Sequence, residues 1–327
     1  MRFSVDPWDP SYGTSDDGER GESSAEVDAG VELPVGAWRP IPADPAVVAP
    51  EAVLFVDGVR RVDAQIWVDD GEGGAAPGLC ASYAAGVVCC CEPHGAHLVE
   101  GLEHGVRHGV FTTAPEAADI ATSAGTYRAH VAAARRDIPP MQALSLALQV
   151  DLADAELWAA GRSRLLGCVS DDLLVVDGPL HGRENLPRAI GFIKSHRTEY
   201  LEDPLRKVVG RLSAGERTPV LRIDGSWKRY SWYLRLPCPP GTPWAGIVRI
   251  ECSAALPAEG AVLLASLSQT TLPRFASTAY KDSRAPQNLY PIGGLERQLR
   301  RRLGDPGLLY RALRRAAAGV SPGQDRR

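Results

Sequence analysis

Two apolar tetrapeptides in this chain each run straight into Asp-Gly. Val53–Val56 lead into Asp57-Gly58 in "VLFVDG", and Leu173–Val176 lead into Asp177-Gly178 in "LLVVDG". A short, unbroken apolar run of this kind reads as a strand buried on both faces, which requires covering layers above and below it. A carboxylate delivered at the end of such a strand is costly unless something compensates its charge. Asp-Gly is also good turn chemistry, so a simple turn at each place is one reading. The other is that both aspartates face one divalent metal centre.

The rest of the chain supplies elements to cover these strands. The 327 residues suffice for one large or two ordinary domains. After Gly58, "RVDAQIWV" alternates apolar and polar positions, the period of a strand with one covered face. "LCASYAAGVVCCC" is a third strand candidate, and together the three suggest an antiparallel meander. "APEAADIATSAGTYRAHVAAARRD" and "MQALSLALQVDLADAELWAAGRSRLLG" read as helices. "LPRAIGFIKSHRTEYL" is part strand, and "TPVLRI", "RYSWYLRLP" and "AGIVRIEC" are three more strands. "AEGAVLLASLSQTTL" and the arginine-rich C-terminus close the chain as helices. A meander, helices, further strands and helices again give a mixed α/β layout.

Residues 1–35 carry nine acids and two arginines, a balance of −7, so the remainder of a chain with net charge −4 is +3. The acidic, Gly/Ser-rich composition predicts a flexible N-terminal segment with little core to join, and folding proper from near Val53. A mildly positive body with a locally acidic site is compatible with phosphate binding without demanding it. No run approaches the roughly 18 apolar residues of a membrane span. The first residues lack signal-peptide character, and seven partly clustered cysteines suit a reducing compartment. A cytoplasmic protein is expected.

Metal-dependent phosphodiester cleavage needs carboxylates that converge on hard divalent ions. Asp57 and Asp177 are the strand-end candidates. Glu156 is the helix candidate, because it follows Leu152 by four residues on the stripe through Leu148. Asp151 and Asp154 compete with it, and a surface position is the plainer alternative, since glutamate is seldom buried.

In their order and spacing these residues resemble the NurA nuclease domain. That family begins its core with an apolar strand ending in Asp-Gly, as "VLFVDG" does. It places a glutamate on a helix about twenty residues before a second aspartate, as Glu156 is placed before Asp177. It continues with an apolar strand ending in Asp-Gly-x-Leu, as in "VVDGPL", and a segment like "IGFIKS" containing Lys194. A Tyr-Pro segment leading into a helix matches "NLYPIGGLERQL". The resemblance covers roughly residues 50–305. The family usually has a His or acidic residue about five positions after that proline. Here Glu296 takes the place, and a glutamate rather than a histidine bears on ligand geometry and metal preference. An ordinary Glu296–Arg300 helical pair is the alternative.

The resemblance implies an RNase H-like fold: a central mixed sheet with flanking helices, a second set of antiparallel strands, and the metal site at the strand ends. It implies a nuclease domain over residues 36–316, with 317–327 as a disordered tail. It implies a Mn²⁺- or Mg²⁺-dependent DNA nuclease, with 5′→3′ exonuclease and single-strand endonuclease activity. It also implies a homodimer working on single strands or duplex ends beside a HerA-type hexameric ATPase. Metal ligands would be Asp57, Glu156, Asp177 and Glu296, with Lys194 a phosphate contact. Arg297, Arg300 and Arg301, turned away from the stripe of Leu295, Leu299 and Leu303, are candidate DNA-backbone contacts. A DNA-binding adaptor with little catalytic power, and a nuclease of the same fold acting on RNA, are the rival expectations. The chain has no G-x-x-x-x-G-K-[ST] P-loop, so any motor is another protein.

Three signals carry less. "CCCEPHGAH" holds Cys89, Cys90, Cys91, His94 and His97, but adjacent cysteines on a strand alternate faces and cannot all meet one ion. No Cys-x₂-Cys pair completes a zinc module, so these read as core cysteines. "RYSWYLRLP" mixes aromatics and arginines that could stack bases or simply pack a strand. A serine-hydrolase reading fails for want of a G-x-S-x-G elbow.

Overall fold

A computed structural model describes residues 21–69, 74–99, 105–135, 137–165, 171–239 and 241–319. Its strands are β1 (Gly21–Glu22), β2 (Glu26–Asp28), β3 (Ala52–Asp69), β4 (Ala75–Cys91), β5 (Gly95–Leu98), β6 (Val106–Thr112), β7 (Ile120–Thr122) and β8 (Gly125–Val131), then β9 (Asp172–Asp177), β10 (Ala189–Ile193), β11 (Thr198–Glu199), β12 (Leu221–Asp224), β13 (Lys228–Arg235) and β14 (Ile247–Ser253). The α-helices are α1 (Pro140–Leu165), α2 (Asp203–Gly210), α3 (Ala258–Thr271), α4 (Tyr290–Arg302) and α5 (Pro306–Ala317). This is a mixed α/β protein. Twelve strands form one mixed sheet in the order β2-β12-β13-β14-β10-β9-β3-β4-β6-β8-β7, with β5 on β4. No described helix is long and apolar enough to cross a membrane.

The chain divides into two compact units. The first comprises residues 1–56, 88–97 and 168–294. Here β3 and β9 run parallel, with Val53 opposite Leu173 and Val56 opposite Val176, and β10 lies parallel beside β9. β14, β13, β12 and β2 extend the sheet antiparallel. One face packs Phe55, Val175, Phe192, Trp232 and Ile250 against Leu264 and Leu267 of α3 and Ile292 of α4. The other buries Leu221, Ile223, Tyr233 and Ile247 against Val208 and Val209 of α2 and against Trp38. All eight residues of the two tetrapeptides are buried, which is why they contain no polar residue.

The second unit comprises residues 57–87, 98–167 and 295–327. Its β4 pairs antiparallel with β6, β6 parallel with β8, and β8 antiparallel with β7. Leu144, Leu148 and Leu152 of α1 cover Leu79, Ala81, Tyr83 and Phe111. Leu313 of α5 joins Cys80, Val110 and Tyr127.

The structure departs from the sequence reading at several places. Asp57-Gly58 makes no turn: β3 runs through it for 18 residues, so the first two expected strands are one. The expected helix over residues 114–137 is instead β7, a turn and β8. Its alanines suggested a helix, but Tyr127 alternates with exposed neighbours and is fully buried against Val110. Order begins well before Val53: Val27 pairs with Ile223, and Trp38 Nε1 donates to the Ala29 carbonyl at 2.7 Å. Strand pairing supplies the core that composition alone could not promise for residues 21–35. Residues 1–20 and 320–327 lie outside the described residues, and α5 ends at Ala317.

Candidate metal centre

Register places the first two carboxylates. Val56 and Val176 are partners in a parallel pair, and Asp57 and Asp177 are the next residue on each strand, although β3 runs on past Asp57. Asp57 is buried and its Oδ1 accepts from the Gly58 amide at 2.7 Å. Asp177 ends β9, and Gly178 takes φ +102° while its amide donates to the Phe192 carbonyl at 2.9 Å. Glu296 of α4 joins Asp57 in the second unit: their ligand oxygens lie within 4.8 Å of one another.

Glu156 is buried on the α1 face that carries Leu148, Leu152 and Ala155, not on the surface. Its Oε1 lies 2.5 Å from where a Cβ on residue 58 would stand. It therefore reaches the residue next to Asp57. Its competitor Asp151 is engaged elsewhere, with Tyr83 Oη at 3.1 Å and His130 Nδ1 at 2.8 Å. Lys194 donates from Nζ to Asp177 Oδ2 at 2.5 Å and to Asn288 Oδ1 at 2.8 Å. Asn288 is itself fully buried, and its Nδ2 donates to Asp282 Oδ2 at 2.7 Å. This chain of bonds fixes where the Lys194 charge sits.

A further buried carboxylate shapes the loop after Asp177. Glu251 accepts from the Leu180 amide at 2.9 Å and from Arg249 Nη1 at 2.7 Å, with Arg229 Nε at 3.3 Å. Two arginines balance a carboxylate that would otherwise be very costly there. Gly191 leaves the room this needs, since a Cβ there would lie 2.8 Å from the Gly178 carbonyl oxygen and 3.0 Å from Glu251 Cγ. Sequence reasoning missed Glu251, Asn288 and Asp282. Glutamate inside the apolar run "IVRIEC" was the available signal for the first.

On α4, Leu295, Leu299 and Leu303 are buried and Arg297, Arg300 and Arg301 exposed, as the heptad-like spacing predicts. Other candidates fall away. Tyr230, Trp232 and Tyr233 of "RYSWYLRLP" are core residues, and Trp232 Nε1 donates to Ser268 Oγ at 3.0 Å. His196, two residues after Lys194, is buried with Nε2 at 3.1 Å from the Ile247 carbonyl. Burial pushes the Cys80 and Cys252 thiols up to about 12, in keeping with small apolar residues. The cysteine-histidine run, by contrast, does converge: ligand atoms of Cys89, Cys91 and His97 lie within 4.8 Å of one another.

No protein-family model matches the chain, and no curated protein matches it.

Proposed function

We propose that the chain is a metal-dependent phosphodiesterase that cleaves DNA. The observation that supports this most directly is the approach of Asp57 and Glu296 in the second unit, with Glu156 beside Gly58, together with the Asp177 carboxylate held by Lys194 at the end of β9 in the first. The donor set is all carboxylate oxygen, which suits the hard ions Mg²⁺ and Mn²⁺ rather than soft metals. Bound there, such ions would activate water and stabilise the charge that develops on the phosphate. Asp57, Asp177 and Glu296 would hold them, and Glu156 would serve from its buried position next to Gly58. Lys194, fixed by Asp177 and Asn288, would orient Asp177 and offer a cation to the phosphate. The NurA-like motifs extend the proposal to an RNase H-like nuclease. In it, a cytoplasmic homodimer trims single strands and duplex ends, from the 5′ end and internally, beside a HerA-type ATPase.

One observation favours a second reading. The Lys194 ammonium already compensates Asp177, so the site is partly satisfied by the protein's own charge. A DNA-binding adaptor with weak or no cleavage would have this property.

Cleavage of single-stranded DNA, duplex ends and RNA in Mn²⁺ and in Mg²⁺ separates these readings. Asp57→Asn and Asp177→Asn are each expected to lower DNA cleavage at least about 100-fold, the scale of losing one preorganised electrostatic group. The metal-free melting temperature of Asp57→Asn should be unchanged or higher, because it removes one of several negative charges, whereas Asp177→Asn also takes the partner from Lys194 and should lower it. Full activity in either variant refutes the assignment. DNA binding without metal-dependent cleavage in the wild type supports the adaptor, and preferential RNA cleavage redirects the substrate.

A further inference from the structure

The strand β4 ends in three cysteines, and its pleat sorts them. Residues two apart share a face, so Cys89 and Cys91 point one way and Cys90 the other. Cys89 and Cys91 are buried. Cys90 packs against the core that contains Phe55 and Trp232. The chain then turns through Glu92–His94, and Gly95 at φ +64° reverses it into β5. The Val99 amide donates to the Val87 carbonyl at 3.0 Å, which closes the hairpin and brings the His97 ring back over β4. The alternation rule that bars three adjacent cysteines from one ion thus leaves two of them free to meet it. The hairpin then supplies histidines that strand periodicity alone does not reveal.

The geometry points to a zinc site formed by Cys89, Cys91, His94 and His97. Zn–S and Zn–N bonds of about 2.3 and 2.0–2.1 Å put neighbouring ligand atoms of a tetrahedral site about 3.5–3.8 Å apart. Ligand atoms of Cys89, Cys91 and His97 lie within 4.8 Å of one another before any ion draws them in. His94 Nδ1 lies 3.7 Å from Cys91 Sγ, the edge length of such a tetrahedron. The two imidazole rings meet edge to face with centroids 5.6 Å apart, so His94 borders the group of three and is placed to be drawn in as the fourth ligand. His97 Nδ1 is 3.2 Å from the Gly95 carbonyl, which can only accept. That bond sets the tautomer with the proton on Nδ1 and leaves Nε2 as the ligand atom, the usual outer-shell arrangement of a metal-bound histidine. Four protein ligands close the coordination sphere, so the ion is structural and pins the β4–β5 hairpin. Exposed His94 provides the entry path. Thiolates select a soft or borderline cation, which distinguishes this site from the all-oxygen carboxylate group.

The test uses the full-length chain purified with reductant. Metal analysis of the isolated protein should find about one zinc per chain. Replacement by Co²⁺ should give a thiolate-to-cobalt charge-transfer band in the near ultraviolet and the strong visible bands of a tetrahedral ion. Cys89→Ser and Cys91→Ser should each abolish the charge-transfer band or reduce it to the contribution of one thiolate. Cys90→Ser and Asp57→Asn should leave it unchanged. His94→Ala, in an exposed turn where folding is not at issue, should weaken Co²⁺ binding at least 10-fold. Chelation should lower the melting temperature of the wild type but not of the Cys89→Ser/Cys91→Ser double variant. The site is overturned if no charge-transfer band forms, if the band survives in that double variant, or if Cys90→Ser removes it as effectively as Cys91→Ser.

Discussion

A methyl group added at Gly58 would sit 2.5 Å from Glu156 Oε1 and 2.6 Å from Leu152 Cδ1, so this glycine exists to let α1 approach β3. Gly178 has open space around its α-carbon but φ +102°, so it exists for backbone conformation. Alanine is therefore expected to act differently at the two sites. Gly58→Ala should cost about 1–3 kcal/mol by overpacking and should reduce cleavage by displacing Glu156. Gly178→Ala should cost about 1–2 kcal/mol through strain alone. Urea unfolding of these variants with and without Glu156→Ala checks the distinction. Glu156→Ala should relieve part of the Gly58→Ala cost and should be additive with Gly178→Ala. The second unit offers a pH test at the same scale. His108 Nδ1 lies 2.7 Å from Ser82 Oγ, Ser82 also donates to Asp63, and Tyr127 Oη donates to Asp63 at 3.0 Å. Burial first, then Arg61, lowers the His108 pKa from 6.5, against the opposing pull of Asp63. The unfolded chain thus takes up a proton before the folded one does. Stability from this group is present above about 6.5 and is lost as pH falls through the lower folded value. Melting temperature against pH should fall more steeply in acid for wild type than for His108→Gln. Parallel curves would show that this histidine does not contribute.

Helices α4 and α5 show what local signals can carry. Gly304 stops α4 at φ +81°, and Asp305 Oδ1 caps α5 by accepting from the Leu308 amide at 2.7 Å, both readable from "LGDPG". Arg61 adds what sequence could not show, donating to the Leu303 and Gly304 carbonyls at the end of α4. Gly86 of β4 is another such detail: its missing side chain admits Leu295 and Leu299. With its leucines buried, α4 turns Arg297 and Arg301 to solvent on the helix that carries Glu296. If this face holds the DNA backbone, Arg297→Ala with Arg301→Ala should weaken binding alike for all sequences and flatten the salt slope by roughly one to two units. An unchanged slope means a solvated or protein-binding face. The same contrast explains which parts of the fold were legible. α1, α3, α4, β12, β13 and β14 follow from periodicity and neighbouring caps or turns. β7 and β8 do not, because their pairing with each other and with β6 overrides an alanine-rich composition. Asp57 and Asp177 were legible because buried strands rarely deliver a carboxylate. Glu251 and Asn288 were not, because partners 71 and 94 residues away define their roles.

Across the whole chain, the acidic N-terminal region has a structural duty that its composition conceals. Of the −7 carried by residues 1–35, the charge on Glu32 is committed to Arg217, a fully buried guanidinium. Glu32 accepts from Nη1 at 2.7 Å and Nη2 at 2.8 Å, and from the Val220 amide at 2.7 Å. Arg217 is further held by Gln269 Oε1 at 2.9 Å and the Thr218 carbonyl at 3.0 Å, and its backbone bonds to Ile41 tie the lead-in to β13's neighbourhood. Removing one partner of such a pair leaves an uncompensated buried charge, which costs about 3–5 kcal/mol. Deleting residues 1–35 also strips β2 from the edge of β12. If the segment were only a mobile acidic screen, its removal would leave stability unchanged and strengthen DNA binding by lifting like charge. The Glu32–Arg217 pair predicts instead that deletion lowers the unfolding free energy by at least about 3 kcal/mol. Glu32→Gln, which keeps the shape and removes the charge, should reproduce much of that loss. Because Arg217 is shielded from solvent, the loss should change little between low and high salt, unlike the α4 arginine effect. Denaturant unfolding of the full chain, the deletion and Glu32→Gln at two ionic strengths decides the matter: unchanged midpoints in both variants would return the N-terminal region to the role of an electrostatic screen.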